Sequence, residues 1–147
     1  AVMRTNVLGV VHTFHPFIAA MRARRSGRLV GIASVAGIRG LPGHGAYCAS
    51  KAAVTSYCES LRGELGPHGV GVSVIAPGYV ATPLTAGNEF PMPALQTPEQ
   101  AARAMIRGWA RGAFEIHFPR RFTLVLKLLR LLPYRLYFPL VHRATGL

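Results

Sequence analysis

Aspartate is absent from this sequence, and lysine occurs only twice. Five glutamates stand against fifteen arginines in 147 residues. The net charge of +12 and the isoelectric point near 11.3 therefore owe as much to missing acid as to added base. Such a balance suits nucleic acid or an anionic membrane surface. The bases are scattered rather than gathered into one dense patch, and no nucleic-acid-binding module is recognisable, so nucleic acid is not expected as a partner. Cysteine is scarce too. Cys48 and Cys58 fall on one expected helix, about 15 Å apart along its axis. That rules out a disulfide between them and favours a reduced, cytoplasmic setting. No stretch of about twenty apolar residues is present to span a bilayer. No signal peptide is visible, and the chain starts without methionine.

What is present argues for an ordered domain. Half the residues are apolar, and the sixteen glycines and eleven prolines are spread along the chain. The most informative stretch is Gly31 to Lys51, GIASVAGIRGLPGHGAYCASK. It passes from an apolar run through a glycine-rich loop into a helix. Tyr47 and Lys51 are four apart, so on a helix they share a face one turn from each other. An ammonium held beside a phenol favours the phenolate and suits it to acid–base work. Ser34, at the end of the preceding strand, offers a hydroxyl to the same substrate oxygen. Together they outline a site for interconverting a carbonyl and an alcohol.

Tyr47-Cys-Ala-Ser-Lys51, with Ser34 thirteen positions ahead of the tyrosine, resembles the signature of the short-chain dehydrogenase/reductase family. The resemblance covers residues 1 to about 115 and implies the C-terminal part of a Rossmann-like, doubly wound parallel α/β sheet. It implies Tyr47 as acid or base at the substrate oxygen. Lys51 would favour the phenolate and hold the nicotinamide ribose, and Ser34 would orient the carbonyl. Asn6, in Asn6-Val-Leu-Gly9, matches the family's fourth site residue and would hold a water in a proton relay. The cofactor implied is NAD or NADP, the substrate a small carbonyl or alcohol compound. No metal is expected.

Taken in order, apolar positions from Val7 to Met21 recur at helical spacing and predict a helix over 2–24, with Pro16 inside it and Gly27 ending it. Arg28 to Ala33 reads as a buried strand. Ala33 stands where the family often has a second serine, so Ser34 alone is nominated. The glycine-rich loop from Gly37 to Gly45 lacks the strand–turn–helix setting of a dinucleotide fingerprint and is read as a connection, with His44 exposed in it. A helix follows over 46–65, then a strand over 69–76. That strand delivers Pro77-Gly78-Tyr-Val-Ala-Thr-Pro83, twenty-six residues after Lys51. By resemblance Thr82 and the backbone of Val80 meet the nicotinamide carboxamide, and Pro77 and Gly78 of the same segment join Tyr47 and Lys51 as cofactor-binding residues. Residues 83–97 have the irregular, proline-dotted character of a lid over substrate. Thr97-Pro-Glu starts another helix as N-cap, first position and first-turn acid, and Phe114 to Phe118 suits a last edge strand.

Residues 119–147 depart from the compact pattern of 1–118 and are read as a separate basic, apolar helical extension. Leucines, Phe122 and Val125 alternate with Arg120, Arg121, Lys127 and Arg130 until Pro133 interrupts them. An amphipathic helix at an anionic membrane fits this pattern, and so does a C-terminal helix packed over the substrate pocket or a partner subunit. A lipid-like substrate suits the apolar tail. The family's Thr-Gly-x-x-x-Gly-x-Gly turn and Asn-Asn-Ala-Gly segment occur nowhere in the chain, so the sequence is expected to be a fragment. Two further readings stand beside the enzyme. One is a partner associating, as in a homo-oligomer, through helices 2–24 and 46–65; the other is a membrane-surface binder.

Overall fold

The computed structural model describes residues 1–146. Its centre follows from the chemistry of one strand. Val70–Pro77 (β2) reads VGVSVIAP and is buried along most of its length. A strand so poor in polar side chains needs apolar cover on both faces and neighbours on both edges. Gly27–Ile32 (β1) pairs with it in parallel from Gly27↔Val70 to Ile32↔Ile75. Glu115–Phe118 (β3) pairs in parallel on the other side, from Val74↔Glu115 to Pro77↔Phe118. The sheet order is β1-β2-β3.

Parallel neighbours require crossovers, and helices supply them. Gly9–Arg24 (α1) precedes β1, and Gly45–Leu65 (α2) joins β1 to β2. Both bury their apolar stripes on the face carrying Leu29, Val70, Val72 and Val74, where Phe14, Val54, Cys58 and Leu61 complete one core. Pro98–Ala110 (α3) joins β2 to β3 and covers the opposite face, with Ala101 and Met105 against Ile75 and Ile116. A parallel sheet covered by helices on both faces is the architecture the sequence implied. The contact between α2 and β1 is close: a Cβ at Gly31 would lie 2.5 Å from Cys58 Sγ. Burial pushes the Cys58 thiol up to about 11, so it packs as a protonated, unreactive group. Cys48 is likewise buried, and both cysteines are free.

Several boundaries differ from the sequence reading for identifiable reasons. The first helix opens with a π-helical turn over Arg4–Leu8, in which Asn6 lies, and continues unbroken through Pro16. It ends at Arg25, which takes the left-handed conformation (φ 52°), while Gly27 becomes the first residue of β1. The left-handed residue closes the helix end: Arg25 N donates to Arg22 O and Ser26 N to Met21 O, each at 3.2 Å. Arg25 O lies so close to Gly69 that a Cβ there would come within 2.6 Å of it. Thr97 caps α3 as expected, and Gln100 completes a reciprocal capping box.

After β3 the chain forms Arg120–Leu131 (α4) and Tyr134–Thr145 (α5), divided at Pro133. No helix among the described residues is long and apolar enough to cross a membrane. The start of α4 is tied to β3. His117 Nδ1 lies 2.5 Å from Thr123 Oγ1, the Thr123 hydroxyl donates to Arg120 O at 3.1 Å, and Lys127 pairs with Glu115. Thr123 has no solvent exposure.

Burial holds the His117 imidazole below its ordinary 6.5; the charges of Lys127 and Arg120 reinforce this and Glu115 opposes it. The folded chain thus binds this proton less readily than the unfolded chain. His117 leaves stability unaffected above its ordinary value and lowers it as pH falls from there through the depressed folded value. In urea unfolding between neutral pH and about pH 5, His117→Asn is expected to lose less stability on acidification than wild type. Equal losses would show that His117 is not the titrating group.

Candidate active site

Ser34 stands immediately beyond the β1 ladder, which Ala33 extends by one hydrogen bond to Ile75 O at 2.8 Å. It caps a 3-10 turn over Val35–Gly37, and its Oγ accepts from Ala36 N at 3.2 Å. Accepting that bond leaves the hydroxyl proton free for a substrate oxygen. The turn rests directly on α2. A Cβ at Gly37 would lie 2.8 Å from the Lys51 carbonyl carbon and 2.9 Å from Ala52 N. Only glycine permits that approach. The serine turn is thereby registered on the backbone of Lys51, one helical turn beyond Tyr47.

Lys51 Nζ donates to Ile32 O, the last carbonyl of β1, at 3.0 Å and sits 5.7 Å from the centroid of the Tyr47 ring. Burial draws the ammonium below its ordinary 10.5. Tyr47 itself is 39% exposed, so its ring is accessible from solvent. Asn6 arrives from the π-helical turn and donates from Nδ2 to Ser50 Oγ at 3.0 Å. Ser50, with no exposed surface, donates in turn to Tyr47 O at 2.7 Å. A helix-interior serine bonded back along its helix is commonplace. Here its oxygen also fixes a side chain 44 positions away. The sequence showed Ser50 only as a small residue before Lys51.

The second group follows β2. Pro77 ends the strand, and extending the Ile32↔Ile75 register by two residues sets it level with Ser34 on the neighbouring strand. Both groups therefore occupy the carboxyl edge of the sheet, where open α/β folds bind ligands. Gly78 N donates to Phe118 O at 2.7 Å. Val80 bridges Gln96 across the base of the lid, and Val80 O accepts from Thr85 Oγ1 at 2.7 Å. Thr82 N donates to the same Thr85 hydroxyl oxygen at 3.0 Å. Thr85 thus holds both Val80 and Thr82, a role invisible in the lid's irregular sequence. Gln96 Oε1 is buried without a hydrogen-bond partner, an unmet acceptor on the residue that bridges Val80. His44 is exposed as expected, with Phe90 of the lid edge-on to it at 6.0 Å. No cluster of metal-ligating side chains occurs among the described residues.

Comparison with known proteins accords with this geometry. The short chain dehydrogenase family model matches residues 1–90. An uncharacterised oxidoreductase of Myxococcus xanthus is 42% identical over 136 residues, covering 92% of this chain and 54% of that protein. A 3-oxoacyl-(acyl-carrier-protein) reductase of Haemophilus influenzae is 40% identical over 84 residues, covering 57% of this chain and 35% of that protein. A crystal structure of a short chain dehydrogenase from Burkholderia cenocepacia in complex with NADP superposes with a TM-score of 0.78 at 24% identity, covering 97% of this chain and 56% of that one. The chain thus spans about half, or less, of the length of the curated relatives it matches. With the family model over more than half its residues and the serine, tyrosine and lysine drawn together at one sheet edge, the chain belongs to the short chain dehydrogenase family.

Proposed function

We propose that the protein carrying this chain is an NAD(P)-dependent oxidoreductase interconverting a carbonyl and an alcohol, and that these residues form the acid–base side of its site. One observation carries the reading. The Lys51 ammonium is held between the end of the serine strand and the Tyr47 ring, on the helix turn against which the serine loop is packed. A positive charge at that place stabilises negative charge developing at the tyrosine oxygen. In the reducing direction the Tyr47 hydroxyl gives its proton to the substrate oxygen while the Ser34 hydroxyl donates a hydrogen bond to it. Asn6, fixed by Ser50, offers its amide oxygen to a water that returns the proton.

Bound NADH or NADPH supplies the hydride. The donor set fits such a group. The ammonium of Lys51 keeps N–H bonds beyond the one to Ile32 O for ribose hydroxyls, and the side-chain oxygen of Gln96, the residue bridged to Val80, lacks the donor that a carboxamide brings. Thr82 and the backbone around Val80 would hold its carboxamide. The NADP complex of the Burkholderia neighbour supports the same cofactor class. Leu84, Phe90 and Leu95 leave the lid surface apolar, with Leu84 90% exposed, which favours an apolar ketone or alcohol.

NADPH consumption by the whole protein, followed at 340 nm with a panel of aliphatic ketones, tests this reading. Tyr47→Phe is expected to lower kcat roughly 100-fold or more, the usual scale for a general acid. Ser50→Ala is expected to lower kcat roughly 10-fold with little change in KM, because a shifted Asn6 weakens a step rather than binding. Wild-type-like turnover in Tyr47→Phe would defeat the assignment.

A second reading concerns the tail. Leu124, Val125, Leu128 and Leu131 stay exposed on α4, with Arg121 and Arg130 among them and no acid after Glu115. This favours contact with an anionic lipid surface. Co-sedimentation with phosphatidylserine vesicles, weakened by salt and absent with phosphatidylcholine alone, is the expected outcome. Failure to sediment with either vesicle would contradict this reading, and binding indifferent to lipid charge would remove the arginines from it.

A further inference from the structure

The loop between Ser34 and Tyr47 is the least self-supporting part of the site. Gly40, Gly43 and Gly45 have open space where a side chain would be. Its local bonds include Ile38 N to Val35 O at 3.1 Å and His44 N to Leu41 O at 3.2 Å. Such a segment has much conformational entropy to lose and little packing to offset it. Beyond the seating of Gly37 on α2, its long-range hydrogen bonds are given by the C-terminal helices. Arg39 Nη1 donates to Leu129 O at 2.6 Å, Leu132 O at 2.8 Å and Arg130 O at 3.0 Å. These carbonyls lie at the end of α4, where Pro133 interrupts the supply of helical donors; Leu129 O accepts from Leu132 N as well, at 3.3 Å. The same guanidinium lies 3.8 Å from the Tyr137 ring centroid and 5.0 Å from that of Tyr134. Tyr137, only 5% exposed, donates its hydroxyl to Gly40 O at 2.5 Å.

The other end of α4 touches the second half of the site. A Cβ at Gly78 would meet Pro119 Cδ at 3.1 Å, and the Phe122 ring lies 6.1 Å from that of Tyr79. The tail therefore spans from the Pro77–Gly78 turn to the serine–tyrosine loop.

We propose that Arg39 is a positioning residue, clamping α4 and α5 onto the loop so that the C-terminal helices set where Ser34 and Tyr47 stand relative to each other. The catalytic part of this inference rests on the function proposed above; the clamp itself does not. Hydrogen–deuterium exchange and steady-state kinetics on the whole protein test the two parts separately, using Arg39→Ala, Arg39→Lys and Tyr137→Phe. Exchange in peptides covering 36–45 and 120–145 is expected to accelerate together in Arg39→Ala and, more weakly, in Tyr137→Phe. The kcat of Arg39→Ala is expected to fall roughly 10- to 100-fold, the scale of a small misplacement, with the cofactor KM nearly unchanged. Millimolar guanidine should restore part of that kcat, whereas Arg39→Lys, a point charge without the planar fork, should recover little. Rescue by guanidine is not expected of a variant that has merely lost stability. Unchanged loop exchange in Arg39→Ala overturns the clamp whatever the activity, and faster exchange with unaltered kcat overturns the positioning role. A whole protein inactive on every carbonyl tested would count against the proposed function, while the exchange arm still decides the clamp.

Discussion

The contact on which the site depends is the seating of Gly37 against the backbone of Lys51. A methyl group there would stand within 3 Å of the helix backbone, so any larger residue would lift the serine turn off α2. The contact turns two independent local structures, a capped turn and a helix, into one rigid unit. Ile32 O adds a second fastening by accepting the Lys51 ammonium, so the strand end and the helix are joined at two neighbouring points. Around this unit the parallel register does the remaining work, because it brings the Pro77–Gly78 turn level with Ser34. The acid–base chemistry proposed for this site tolerates little displacement, since reacting groups must meet to within a fraction of an ångström.

Burial and electrostatics reinforce the arrangement. The ammonium is partly desolvated, and its charge bears on the carbonyl of Ile32 and the tyrosine ring. A protein so short of acid has few groups that would neutralise it. Ser50 contributes from the buried side, where a serine hydroxyl satisfies both Asn6 and the helix carbonyl of Tyr47. Removing it would leave the Asn6 amide without this acceptor, while the Tyr47 carbonyl keeps the α-helical bond that its place in α2 provides.

Much of this was legible in the sequence where local rules govern. Continuous apolar runs marked β1 and β2, helical periodicity marked α1 and α2, and Thr97-Pro98 marked the start of α3. Tyr47 and Lys51 were readable as neighbours because residues four apart share a helix face, and Ser34 through the resemblance of its spacing to the family's. What escaped depends on partners far away in the chain. Asn6 lies in a π-helical turn that no periodicity announces. Arg25 takes a left-handed conformation beside the turn at Gly69. Thr85 looked like an ordinary lid residue, yet its hydroxyl holds Val80 and Thr82. Arg39 is separated from its carbonyl acceptors by 90 positions or more. The tail was legible as amphipathic but not as two-sided: Thr123, Tyr137 and Val141 are buried inward while Leu128 and Leu131 face out.

The central claim is that this side of the sheet edge handles a substrate oxygen while hydride moves to the adjoining carbon. Its most direct test is to supply the whole protein with a ketone and either NADH or NADPH carrying deuterium at both C4 positions of the nicotinamide, and to locate the label by mass spectrometry and NMR. The account predicts deuterium on the carbinol carbon of the product, and none when Tyr47 and Lys51 are both replaced. Alcohol formed without the label, or label transferred equally well by the doubly replaced protein, would contradict it.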